Sequence, residues 1–126
     1  MKAVLDASAI LAYLQSEPGS ETIEDVLSGA AVSSVNWSEV VQKTLASKIA
    51  ANNLRDDFEA LGVRVHEFTA DDAETAAALW QATRNFGLSL ADRACLSLGM
   101  RLSLQVWTTD RNWARLKIKV PVRVVR

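Results

Sequence analysis

Along the chain, short apolar runs alternate with longer stretches whose apolar residues recur every three or four positions. Ala3-Val4-Leu5 predicts a buried strand, and Ala7 to Leu14 begins a helix after it. Pro18-Gly19 breaks the chain before a second amphipathic helix over Ser20–Leu27, and Ala30 to Val35 predicts the next strand. A helix from Asn36 to about Ala51 then shows Trp37, Val40, Val41, Thr44, Leu45 and Ile49 as its apolar stripe. A short helix over Leu54–Leu61 and a strand over Val63–Phe68 follow. Ala70 to Phe86 reads as an alanine-rich helix ended by Gly87. The pattern closes with a helix over Ser89–Arg101, a strand over Leu104–Trp107, a short helix from Asp110 to Leu116 and a last strand over Val122–Val125, past Pro121.

Strands separated by helical segments need crossover connections, which implies a three-layer α/β/α sandwich with a mainly parallel sheet of four to five strands. At 126 residues, with no internal repeat or linker, the chain is expected to form one domain over 1–126. In such a sheet all strands end on one edge and the helices after them begin there, so residues at strand-to-helix junctions gather on one rim, where ligands tend to bind.

Composition removes several classes of function. The single cysteine, Cys95, cannot form an internal disulfide, and with the single histidine, His66, it cannot build a Cys/His zinc site. The five glycines are too scattered for GxGxxG or a P-loop. The 14 basic and 15 acidic residues leave a net charge of −1, which argues against gripping nucleic acid by bulk positive charge but permits a local basic patch. No apolar run approaches the roughly 18 residues of a membrane span. The start Met1-Lys2-Ala3-Val4-Leu5-Asp6 puts a carboxylate where a signal peptide would stay apolar, so a cytoplasmic home without a membrane partner is expected.

What chemistry the chain offers lies in four acids at the junctions: Asp6 after the first strand, Glu39 in the turn after the second, Asp92 at the start of the Ser89 helix and Asp110 after the fourth strand. Each also has a plain structural reading. Asn36-x-x-Glu39 and Ser89-x-x-Asp92 resemble capping boxes, and Asp6 and Asp110 could be simple N-caps. Thr69-x-x-Asp72 is assigned to capping alone. Context favours more for the four. Asp6 sits between apolar runs with no other charge nearby, and Asp92 shares a helix face with Cys95, Leu96 and Gly99. Carboxylates forced together at low exposure raise one another's pKa unless a cation neutralises them, and a hard divalent ion, Mg²⁺ or Mn²⁺, suits oxygen donors. Such an ion can bind a phosphate and polarise an attacking water.

These segments carry a resemblance. Val4-Leu5-Asp6-Ala7-Ser8-Ala9, Ser38-Glu39-Val40, the stretch from Gly87 to Leu96 and Thr108-Thr109-Asp110, in this order and spacing, make the chain similar to the PIN domain family, specifically to the VapC-type toxins of toxin–antitoxin pairs. The resemblance spans nearly the whole chain and implies a metal-dependent endoribonuclease. It implies Asp6, Glu39 and Asp92 as core ligands of Mg²⁺ or Mn²⁺, Asp110 as the more variable fourth acid, and Ser8 and Thr108 as supporting hydroxyls. It further implies an RNA substrate such as tRNA, a homodimer, and inhibition by a cognate antitoxin covering the acidic groove. Ser8 stands where many relatives carry threonine.

Other features stay open. Six basic residues without an acid (Arg111, Arg115, Lys117, Lys119, Arg123, Arg126) fit an RNA-facing strip or an ordinary solvated terminus equally well. Arg93 is expected to pair with a neighbouring acid, Cys95 to be buried, and most of Trp37, Trp80, Trp107 and Trp113 to pack in the core. An aspartate-nucleophile phosphatase wants a second acid where Ser8 stands, and a receiver domain wants an acidic pair that Asp6 lacks. A catalytically silent binding module on the same fold is the alternative from another class.

Overall fold

The computed structural model describes residues 2–48 and 51–125, so Ile49 of the expected stripe and Arg126 of the basic segment lie outside it. The described elements are β1 (Ala3–Leu5), α1 (Ala7–Leu14), α2 (Ser20–Leu27), β2 (Ala30–Ser33), α3 (Ser34–Ala46), α4 (Leu54–Ala60), β3 (Arg64–His66), α5 (Ala70–Ala78), α6 (Trp80–Thr83), α7 (Leu90–Leu102), β4 (Val106–Thr108) and β5 (Val122–Val124), with 3₁₀ turns over Arg84–Phe86 and Arg111–Arg115.

The strands form one sheet in the order β3-β2-β1-β4-β5, every neighbouring pair parallel. The central strands are buried on both faces, so their side chains divide with the two-residue period of a strand. Ala3, Leu5, Ala30 and Val32 join the core built with α1, α2, α3 and α4, whereas Val4, Ala31 and Val106 join the one built with α7 and Trp113. These are the two outer layers of a three-layer α/β/α sandwich. Helix α7 lies close on the sheet because Gly99 has no side chain there: a Cβ would fall 2.4 Å from Val106 Cγ2.

On the outer side of α7, α5 runs antiparallel to it and is tied at both ends. Arg93 donates to the Ala76 carbonyl at 2.8 Å, and Arg101 holds Asp72 with two hydrogen bonds of 2.9 and 3.1 Å. The first contact corrects the expectation for Arg93, which serves a carbonyl in the last turn of α5 rather than an acid. The second shows that Asp72 does more than cap. It completes a capping box with Thr69 and also takes part in an ion pair in which Asp72 is buried and Arg101 partly exposed.

Several boundaries differ from those expected. Helix α3 begins two residues early because Ser33 Oγ accepts the Val35 N–H and becomes the N-cap, which rules out the Asn36-x-x-Glu39 capping box. On α3, Val40 and Thr44 are buried but Leu45 is 59% exposed, so the stripe is narrower than its spacing predicted. The alanine-rich helix breaks after Ala78, and Gly87 ends the 3₁₀ turn beyond it in the left-handed region, at φ 72°. Strand β4 begins later than predicted and includes Thr108, and the Asp110 segment is a 3₁₀ turn. Trp107 and Trp113 are buried and Trp37 packs edge-on against Phe58, while Trp80 is exposed. Among the described residues no helix is long and apolar enough to cross a membrane.

Candidate active site

The rim at the C-terminal ends of β1, β2 and β4 carries the four junction acids. Asp6 directly follows β1 and caps α1, its Oδ1 accepting the Ala9 N–H at 3.0 Å. The same oxygen accepts from Ser8 Oγ, and Oδ2 accepts from Thr108 Oγ1 at 2.8 Å. Ser8 Oγ also accepts the Thr109 N–H at 3.0 Å, and Thr108 Oγ1 accepts the Asp110 N–H at 3.1 Å. Both hydroxyls thus bridge the β1 junction to the β4 junction while their protons point at one carboxylate.

Asp92 completes a capping box with Ser89, its Oδ2 accepting the Ser89 N–H at 2.9 Å. Asp110 caps the 3₁₀ turn through the Asn112 N–H at 2.9 Å. The capping readings of Asp6, Asp92 and Asp110 therefore all hold. They do not use up the carboxylates, which offer about four acceptor sites each. Glu39, half-buried one turn into α3, accepts from Asn36 Nδ2 at 3.1 Å. The same Nδ2 reaches the Ala91 carbonyl at 3.0 Å, next to Asp92.

These groups also act on one another electrostatically. Burial, more than anything else, raises the Asp6 carboxyl from 3.8 to about 6; bonds from Ser8, Thr108 and the Ala9 amide pull it down, and the charge of Asp92 pushes it up again. The Asp92 carboxyl is raised by burial and by Asp110, against the lowering bonds from Ser89. Cys95, wholly buried one turn along α7 from Asp92, has its thiol held far above the ordinary range by burial and then by the charges of Asp6, Asp92 and Glu39. Among the described residues the ion pairs are Arg55–Glu59 and Arg101–Asp72, and neither reaches this rim.

The donor set is all oxygen, negative and, among the described residues, without an ion-paired cation, which is the chemistry of a hard divalent ion. As the side chains stand, no three of the described His, Cys, Asp and Glu residues come together closely enough to hold a metal ion, so there is no preformed cage. Mg²⁺ does not demand one, since it keeps several waters and takes one or two carboxylates. The residues present fit such an ion.

Sequence reading missed Asn36 as a link between Glu39 and α7. The signal was an asparagine three residues before an acid, and the capping box it imitates concealed its role. The basic segment is partly spent on rings: Arg115 lies 5.6 Å from the Phe86 centroid and Arg123 4.4 Å from that of Trp107.

Comparison with known proteins agrees with this architecture. The fold is similar to a DNA-bound VapBC from Salmonella typhimurium (TM-score 0.73, 15% identity, 98% of this chain and 97% of that one). It is similar to a toxin–antitoxin complex from Klebsiella pneumoniae (TM-score 0.71, 18% identity, 90% and 92%). It is also similar to Mycobacterium tuberculosis VapC20, a sarcin-ricin loop cleaving toxin (TM-score 0.70, 16% identity, 95% and 100%). No curated protein matches by sequence. The family model of the PIN domain matches residues 3–119, from the first residue of β1 to the approach to β5, so that four of the five strands and the whole acid rim fall inside the match and the chain belongs to the PIN domain family.

Proposed function

We propose that the chain, as one PIN domain over 1–126, is a metal-dependent endoribonuclease and the VapC-type toxin of a toxin–antitoxin pair. The observation that carries this reading is Asp6, a buried carboxylate that feels the charge of Asp92 and has no neutralising ion pair among the described residues. Asp6, Glu39, Asp92 and Asp110 would hold Mg²⁺ or Mn²⁺. A divalent ion bound there supplies the positive charge that lets an acidic rim accept a phosphodiester, and lowers the pKa of a water at neutral pH. Ser8 and Thr108 keep Asp6 in one rotamer by donating to both of its oxygens, as supporting groups do around ligating carboxylates. The exposed cations Arg111, Lys117 and Lys119 stand on the segment that follows Asp110 and would meet RNA phosphates.

The solved neighbours support the biological setting, because several are toxin–antitoxin complexes. On this reading a cognate antitoxin covers the acid rim. The homodimer uses apolar surface of the early helices, where Leu14 and Leu45 are exposed, and the protein acts in the cytoplasm.

The test is incubation of wild type and Asp92→Asn with a mixed RNA pool, with Mg²⁺ or Mn²⁺ and with EDTA. Cleavage that needs metal and is lost in the variant supports the proposal. Equal cleavage by both proteins, or none by either while calorimetry detects no metal binding, rejects it; metal binding without cleavage of a pool that includes tRNA favours the silent binding module.

A further inference from the structure

We propose that Asn36 is a positioning residue that sets Glu39 against the Asp92 end of α7 and thereby fixes the spacing of the acid rim; this rests on the metal-centre reading above. Asn36 is 1% exposed in the first turn of α3. A buried asparagine is an unfavourable choice there, because its helix propensity is poor and its amide must be desolvated. Both groups facing Nδ2, Glu39 Oε1 at 3.1 Å and the Ala91 carbonyl at 3.0 Å, are acceptors, so the amide can take only one orientation. One NH₂ group thus joins a carboxylate on α3 to the backbone of α7 beside another carboxylate.

Its other half is not satisfied. Among the described residues Asn36 Oδ1 is buried without a hydrogen-bond partner, a state that costs stability. Nor does the Ala91 carbonyl need the asparagine, since a carbonyl in the first turn of a helix already serves the amide four residues on. Asn36 therefore gains the fold little by itself, and its effect is to restrict where Glu39 can go. Two of the four acids reach the rim on different helices, and this contact sets their separation.

The test is calorimetric titration of Mn²⁺ into wild type, Asn36→Leu and Asn36→Ser, alone and combined with Glu39→Gln or Asp110→Asn, beside thermal melts without metal. Leucine keeps the volume and removes the unpaired oxygen, and serine keeps a hydroxyl too short to span both partners. Each variant is expected to bind Mn²⁺ about 10-fold more weakly, and Asn36→Leu to melt no lower than wild type. In the Glu39→Gln background the Asn36 effect should shrink to within about two-fold, whereas with Asp110→Asn the two losses should multiply. A folded variant that binds as tightly as wild type overturns the proposal, as does a loss that tracks melting temperature or multiplies in both backgrounds. Absence of Mn²⁺ binding by wild type would overturn the metal centre and this inference together; normal wild-type binding with unaffected variants would overturn the role of Asn36 alone.

Discussion

Two aspartates in this molecule are almost equally hidden from solvent, Asp6 at 4% and Asp72 at 3% exposure, but Asp6 lies deeper in the fold and their electrostatic surroundings are opposite. Both cap helices. At Asp72 burial works to raise the carboxyl, yet the Arg101 guanidinium and the Thr69 amide outweigh it and hold the group below its ordinary value. At Asp6 burial prevails, helped by Asp92, and the carboxyl stands at about 6. The fold can evidently neutralise a buried carboxylate when it supplies an arginine. At the rim it supplies hydroxyls and more acids instead, an arrangement that costs stability in the absence of a cation and is ready to receive one.

The largest effect expected from breaking this contrast is on the rim itself: Asp92→Asn should lower metal-dependent RNA cleavage by at least about 100-fold, measured as initial rates at saturating Mn²⁺. Next in size, Arg101→Met strands Asp72 without its partner. Urea unfolding should show a loss of about 2–3 kcal/mol, below the usual figure for a fully buried pair because Arg101 is partly exposed. The rim should answer in the reverse sense. Asp6 binds a proton more tightly folded than unfolded, so its contribution to stability is greatest below pH 3.8 and is lost as pH climbs through about 6. Asp6→Asn should therefore stabilise the metal-free protein by roughly 1–2 kcal/mol at pH 8, and the gain should vanish toward pH 4 in paired melts. Smallest of all, Glu59→Gln removes an exposed pair with Arg55 and should change stability by under about 0.5 kcal/mol.

Much of the fold and of the acid rim was legible in the sequence, for physical reasons. The first two helices begin where the sequence predicts because Asp6 and Pro18-Gly19 punctuate them, and the junction logic of a parallel sheet was enough to bring Asp6, Glu39, Asp92 and Asp110 to one edge. What stayed hidden depended on tertiary partners. Nothing local reveals that Arg101 reaches Asp72 across 29 residues, or that Arg93 turns to a carbonyl of α5. Ser33 took the cap that Asn36 imitated, and Thr108 entered β4 because its backbone pairs with β5, opposite Val124 and accepting the Val125 N–H. Leu45 keeps the helical spacing of a core residue, but among the described residues no element covers it and it is exposed.

The central claim is that the charge left unneutralised around Asp6 exists to hold a divalent cation, and thermal unfolding at pH 7.5 with and without Mn²⁺ tests it most directly. At a metal concentration near 100 times Kd, wild type should melt about 5–10 °C higher than without metal, while Asp6→Asn shows little shift. An unchanged wild-type melt, or an equal shift in both proteins, would contradict the account.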